Sequence, residues 1–478
     1  MGQSKLRTSI DAMASTMEQG FYSNIYIVLI VVLSAFGFIM ESAFNFKSDT
    51  ALFAMGTLIV LMSASLIFCK DATPSFVTFC FICMMPLGFY GAHMEDYFHM
   101  WWVGLFLVPS FILHMILYPA AKVKADAMFW AIALYAIALL LGGVGYISAE
   151  DYFKIPALYY VILLGPGMLC FYIFYQAYVT RDASTNADYF ARAMVGLGVT
   201  ILLIWAAQYV IDFKAGKPIG IFFPSRQFKN NLGNYTLLSM PFAFYLAVKR
   251  NGVKSALLFL LGLLQYIALV LSACRGGALA ATVLMPFMLV YAFVKSGKIS
   301  RITFLVDLLA VVVVAVVVIS RNFESLYEKL QMLIANGSSG RDNLYAEAWR
   351  NFLSHPLNGV GIGHLNPEVY PLKEMAMFWY HSTIFQVIGS MGIIGLVTWL
   401  FMTIVRLGVI VKKNAFNMFM LFAFLGFEGY SMVNTGDFSP LPFVTMLTFM
   451  FVLCAKHNVA NDLPPIFKRR NKKVLQSV

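Results

Sequence analysis

Charge is what this chain is short of. Only 12% of its 478 residues are Asp, Glu, Lys or Arg, against about 25% in soluble domains. So little charge cannot solvate the surface of a chain this long, which excludes a soluble globular protein. The surplus of apolar residues, 60% of the chain at a mean hydropathy of +0.77, must face lipid. Cysteine is also scarce: Cys69, Cys80, Cys83, Cys170, Cys274 and Cys454 all lie in or beside apolar runs. Cys80 and Cys83 have CxxC spacing but no second pair and no nearby histidine. They read as two small apolar residues in a lipid-embedded helix, and neither a disulfide framework nor a zinc site is expected. The chain also lacks an HExxH motif, a Ser–His–Asp signature and internal repeats, and no cofactor or metal is expected.

What the chain has instead is a succession of apolar runs. A membrane-spanning helix needs about 17–25 such residues. Candidates lie at roughly 22–41, 51–69, 74–92, 100–118, 127–147, 156–179, 192–211, 233–248, 255–273, 276–294, 302–320, 383–405, 415–433 and 440–455. The run at 233–248 is short and holds Pro241, and the runs flanking Arg275 are nearly continuous, so either is open to being a broken or re-entrant helix. The expected fold is all-α, a polytopic integral membrane protein of about 12–14 transmembrane helices. Residues 1–320 would form helices with short loops, 321–382 a long outer loop, and 383–478 the last helices and a basic tail. The first apolar run reads as an uncleaved span rather than a signal peptide.

The net charge of +11 invites a nucleic-acid partner, but the cations sit in short loops between apolar runs, where orientation signals belong. With the N-terminus inside, 22 of the 34 Lys and Arg fall on the cytoplasmic side, Arg406 among them. That bias predicts both termini cytoplasmic. Ten of the twelve outer cations cluster in the loop 212–232, at Arg275 and in 321–382. Clustering of that kind points to an anionic ligand on the outer side. Within the long loop, Arg341 to Ser354 reads as an amphipathic surface helix. Its apolar stripe is Leu344, Tyr345, Ala348, Trp349, Phe352 and Leu353, with Asn343, Glu347, Arg350 and Asn351 facing away. Pro356 stops it, and Gly359-Val-Gly-Ile-Gly is a tight, turn-rich exit.

Three places carry candidate chemistry. Arg275, in Ser272-Ala-Cys-Arg-Gly-Gly, would lie at membrane depth, where a guanidinium costs about 3 kcal/mol and is usually functional. Arg226 and Lys229, in Phe222-Phe-Pro-Ser-Arg-Gln-Phe-Lys-Asn-Asn-Leu-Gly-Asn, offer a guanidinium fork and a point charge for phosphate. His381, in Trp379-Tyr-His-Ser-Thr-Ile-Phe-Gln, stands at the water–lipid boundary and can act as a base near neutral pH. Glu428 and Asp307 lie within spans, with helix packing as plausible a role as catalysis.

Taken in order, these pieces resemble the O-antigen ligase and polymerase family of bacterial membrane glycosyltransferases. The resemblance runs over about residues 220–405 and includes the Arg226 loop, the Arg275 turn, Gly340-Arg-Asp, Trp349, His355-Pro-Leu-Asn-Gly-Val-Gly-Ile-Gly and His381-Ser-Thr-Ile-Phe-Gln. The chain departs from the family in having His381-Ser382 in place of His-Asn and Lys229-Asn-Asn in place of Asn-Pro-Asn. The resemblance implies a donor glycan on a polyprenyl diphosphate, such as undecaprenyl diphosphate, and a bacterial inner-membrane protein with its active face outward. Arg226, Arg275 and Lys229 would bind the diphosphate, His381 would accept the acceptor hydroxyl's proton, and Arg341 and Arg350 would be supporting cations. Transfer would be metal-independent and inverting. Two tasks fit: ligation of the glycan to lipid A-core, ranked narrowly first, and polymerisation of lipid-linked repeats. The rival class is a transporter or flippase of lipid-linked sugars, which would place charge along a midplane pathway. Membrane lipids are expected partners; nucleic acid is not.

Overall fold

The computed structural model describes residues 15–44, 49–84, 101–144, 155–214, 216, 229–272, 274–321, 323–324, 327–328, 331, 341–363 and 379–461. Within them the chain is helical. A short helix, Ser15–Phe21, meets α1 (Asn24–Phe44) at a 54° bend. Then follow α2 (Asp49–Phe68), α3 (Thr73–Ile82), α4 (Trp101–Leu117) and α5 (Ala127–Leu141). α6 (Ile155–Ile162) passes through a π turn at Leu163–Gly167 into α7 (Met168–Tyr178), and α8 (Ala183–Lys214) comes next. A consecutive up-and-down series is formed by α9 (Lys229–Lys249), α10 (Gly252–Leu271), α11 (Arg275–Lys295) and α12 (Lys298–Arg321). The surface helix α13 (Arg341–Ser354) precedes α14 (Thr383–Ile410), α15 (Ala415–Ser431) and α16 (Thr445–Asn461).

Each of the fourteen apolar runs holds a helix among its described residues, with the runs at 74–92 and 127–147 described only to residues 84 and 144. Among the described residues, seven helical segments are long and apolar enough to cross a bilayer on their own terms, and the bent pair at the N-terminus makes an eighth. The protein is a multi-pass membrane protein. Burial sorts its helices into layers. α12 is the most apolar, at a mean hydropathy of 3.1, yet only 6% of its spanning window is buried. Its valine-rich surface has no solvent but lipid available to it. α16 is 67% buried and, with α9 and α15, forms the packed centre. α9 runs unbroken through Pro241, and α10 and α11 are separate helices ending at Leu271 and starting at Arg275. α10 and α11 are each long and apolar enough to cross a bilayer.

α14 is broken at Gly392, whose φ of 60° and ψ of −151° only glycine adopts readily. The glycine-rich exit from α13 repairs the break. The amides of Val360 and Gly361 donate to the carbonyls of Gly389 and Ser390, at 3.0 and 2.9 Å. The amides of Ile393 and Ile394 donate back to Pro356 and Leu357, at 2.8 and 3.1 Å. Four backbone groups stranded by the kink in an apolar setting are thereby satisfied. Gly359, Gly361 and Gly363 all have positive φ. A Cβ at Gly359 would lie 2.3 Å from the Ser390 carbonyl carbon, so only glycine lets the strap approach.

Two expectations need correction. The α13 boundaries hold, but its faces do not. Glu347 is buried with Ala348 against α14, while Trp349 and Leu353 are 50% and 62% exposed. Glu347 tolerates burial because Arg350 holds its carboxylate at 2.7 Å. The outward apolar residues then suit a helix lying against lipid. Arg406 is not a loop cation: it is 3% exposed, pairing with Glu428 at 3.2 Å and Asp437 at 3.6 Å. Its long side chain reaches from α14 into the bundle, because two buried carboxylates there outweigh the pull of the interface.

Candidate active site

Among the described residues, the start of α9, the Arg275 segment, α13 and His381 come together at one end of the bundle, and glycines make the meeting close. α9 begins at Lys229, and at its second turn a Cβ on Gly233 would fall 2.7 Å from the Cys274 sulfur. Cys274 is the buried residue before Arg275. Its Sγ donates to the Tyr430 hydroxyl, at the end of α15, at 3.2 Å. A Cβ on Gly276 would lie 2.5 Å from a Val433 methyl carbon and 2.9 Å from the Tyr430 ring. The segment 274–277 is therefore wedged between α9 and the end of α15, and any side chain larger than hydrogen at Gly233 or Gly276 would push it out. Arg275 opens α11 with its side chain exposed. It sits at the end of the bundle rather than buried within a continuous apolar stretch, because the helix break brings it there.

The segment after α15 carries the contact chain onward. The Val433 carbonyl accepts a hydrogen bond from the Arg341 guanidinium, which fixes the start of α13 over this end of the bundle. The Asn434 side chain lies beside both Tyr430 and His381. Three residues on, Asp437 accepts from the Trp399 indole at 3.2 Å and pairs with Arg406 at 3.6 Å. That buried anchor holds the segment bearing Val433 and Asn434 in place.

His381 stands where the chain enters α14, pinned on both sides. The Tyr380 amide donates to the Gln386 side chain at 2.9 Å, and Gln386 donates in turn to Ser390 at 2.9 Å. The Tyr380 hydroxyl accepts from Asn351 of α13 at 2.8 Å. Tyr345 of α13 donates to the His381 carbonyl at 3.5 Å, and its ring stacks on Phe385 at 4.4 Å. Between these clamps His381 has a φ of 52°, the one positive value outside glycine among the described residues. Such a conformation persists only where the surroundings impose it, and it clusters at functional sites. Its Nδ1 is buried without a hydrogen-bond partner. Burial holds the imidazole pKa below the ordinary value, the Arg341 charge lowers it further, and the Asn434 contact opposes both. A neutral imidazole at pH 7 with an unused nitrogen is able to accept a proton.

Of the six predicted site residues, Arg275, Arg341 and His381 join this contact chain. Lys229 opens the adjoining helix, four residues before Gly233. Arg350 lies nine residues along α13 from Arg341, engaged by Glu347. Arg226 falls outside the described residues. Tyr430 and Asn434 were not anticipated. The only sequence signal for them is the polar stretch Asn434-Thr435-Gly436-Asp437 closing an apolar run.

Residues 256–400 match the family model described as O-antigen ligase. That match, covering under a third of the chain, supports the resemblance to the O-antigen ligase/polymerase family. The matched segment runs from α10 into the second half of α14 and contains Arg275, Arg341, Arg350 and His381, the Gly359 strap and the Gly392 break. The family is one of glycan transfer in O-antigen biosynthesis, so its members are membrane glycosyltransferase-like enzymes. Among curated proteins, none matches the chain.

Proposed function

We propose that this protein transfers a glycan from a polyprenyl diphosphate carrier to a sugar hydroxyl, at the outer face of the bacterial cytoplasmic membrane and with both termini inside. The observation that carries the reading is the unbroken contact chain from Gly233 and Cys274 through Tyr430 and Val433 to Arg341, and through Asn434 to His381. It brings the start of α9, the Arg275 turn and a neutral histidine to one end of the bundle. The acceptor hydroxyl oxygen attacks the anomeric carbon opposite the diphosphate, inverting that centre. The bond from this carbon to the diphosphate oxygen breaks, leaving its electron pair on that oxygen, and the hydroxyl proton passes to His381. Arg275, assisted by Lys229 and Arg226, offsets the charge that develops on the leaving diphosphate. Arg341 adds positive potential, and Arg350 steadies the covering helix through Glu347. No step calls on a metal ion. The acceptor ranked first is lipid A-core, which makes the chain a ligase; a second lipid-linked repeat as acceptor would make it a polymerase.

Purified protein given a lipid-linked oligosaccharide and either acceptor tests this, with Arg275→Ala and His381→Ala beside wild type. Sugar transfer lost in both variants is the expected result. Full transfer by both would overturn the site. A wild-type protein that moves lipid across a bilayer without transferring sugar would favour a transporter, for which the buried charges around Arg406 would line the path.

A further inference from the structure

At the end of the bundle opposite the Arg275 turn, a groove of about 710 Å³ opens between α1, α8 and the start of α10. Its floor is set by Gly196, where a Cβ would come 3.0 Å from Val31 and 3.1 Å from Ile27, so α1 and α8 close tightly there. Its walls are apolar and open: Val28 is 60%, Val32 55% and Leu203 44% exposed. On α8 the lining runs from Arg192 to Leu203, about 16 Å at a rise of 1.5 Å per residue. That is a trough for an extended hydrocarbon chain.

The mouth is basic. Arg192, Arg250 and Lys254 line it. Asp188 engages Arg192 and Lys249 at 3.4 Å each and Arg250 at 3.8 Å. Three cations on one carboxylate leave two positive charges over, and exposed Lys254 adds a third. Apolar trough and surplus charge are continuous, so the complementary molecule is anionic at one end and aliphatic beyond it.

We propose that this groove is a binding site for an anionic glycerophospholipid of the adjacent leaflet. Its phosphate rests on Arg250 and Lys254, and one acyl chain lies between Val28 and Val32 of α1 and Leu203 of α8. A zwitterionic headgroup would bring its own cation against three others, which sets the selectivity. The site is independent of glycan transfer, which takes place at the other end of the molecule.

The test is lipid binding to the full chain in detergent, read by native mass spectrometry and by thermal protection. The probes are phosphatidylglycerol and phosphatidylcholine with identical acyl chains, and inorganic phosphate alone. Wild type is expected to bind phosphatidylglycerol about 25-fold tighter, with about fivefold lost for each cation removed. Arg250→Gln/Lys254→Gln should therefore bring the two lipids to parity. Val28→Trp, at an exposed wall position, should weaken both lipids while leaving the unliganded melting temperature unchanged. His381→Ala should retain the preference. Equal binding of the two lipids by wild type, or a preference that survives in the double variant, would overturn the proposal. So would protection by inorganic phosphate equal to that by phosphatidylglycerol.

Discussion

Replacing Gly359 with alanine places a methyl group where the strap and the broken helix touch. The added carbon would sit 2.3 Å from the Ser390 carbonyl carbon, 2.5 Å from the Met391 nitrogen and 2.7 Å from the Gly389 oxygen. All three are backbone atoms, so no rotamer change relieves the clash. A φ of +64° adds strain of about 1–2 kcal/mol for an L side chain. Forcing a methyl group into packed surroundings costs about 1–3 kcal/mol more. The sum, roughly 2–5 kcal/mol, is enough to detach the strap and strand the four backbone groups it satisfies. Gly392→Ala should behave alike, since its Cβ would lie 2.5–2.6 Å from Leu357 and Pro356 backbone atoms at a φ of 60°. Gly408, later in the same helix, has nothing within 4 Å of a Cβ, and alanine there should gain about 0.5–1 kcal/mol of helix stability. The assay is thermal unfolding of the three purified variants in one detergent, followed by circular dichroism, with limited proteolysis after α13. Gly359→Ala and Gly392→Ala should melt well below wild type and be cut sooner, and Gly408→Ala at or above it. If Gly359→Ala melts with Gly408→Ala, the strap does not hold α14 together.

Other consequences concern the site and its anchor. His381→Ala should lower transfer by about 10²–10⁴-fold, the usual contribution of a positioned base; single-turnover kinetics on a lipid-linked donor would show it. Arg275→Lys should recover only part of what Arg275→Ala loses, since a point charge cannot fork onto two phosphate oxygens; the same kinetics compare the three. Because a base works in its neutral form, kcat/KM should fall as pH drops through the His381 pKa, which burial and the Arg341 charge place below the ordinary histidine value. Removing that charge with Arg341→Gln makes protonation easier, so the acid limb should move to higher pH; an unmoved limb would dissociate Arg341 from the base. Arg406→Met should destabilise by about 3–5 kcal/mol by leaving buried carboxylates unpaired. Adding Glu428→Gln and Asp437→Asn should restore most of the loss, as thermal unfolding will register.

What the sequence disclosed and what it hid follow from the range of the interactions. Helix positions came from runs of apolar residues, a signal carried within about twenty neighbours, and each run holds a helix among its described residues. The α13 boundaries were legible for the same reason, since Arg341 to Ser354 holds a local period closed by Pro356. Its buried face was not, because two partners shared the helix: lipid took Trp349 and Leu353, while α14 took Ala348 and, with Arg350's help, Glu347. Periodicity identifies an apolar stripe but not which of two apolar surroundings receives it. Arg406 went astray through a related ambiguity. At the end of an apolar run, a long cationic side chain reaches either outward to the interface or inward to a buried acid, and the distinguishing partners, Glu428 and Asp437, lie 22 and 31 positions away. Around the site, cations and a histidine on one face were visible as composition. The wedge that unites them depends on Gly233 meeting Cys274 and on Tyr430 meeting both Cys274 and Asn434, contacts that span up to 156 positions. No local spacing encodes such a contact. The polar stretch after α15 therefore looked like an ordinary loop, although Asp437 anchors it from inside, its Val433 carbonyl holds Arg341 and its Asn434 side chain lies beside His381. A candidate site in a helical membrane protein is for this reason easier to find by its charges than by the neutral residues that position them.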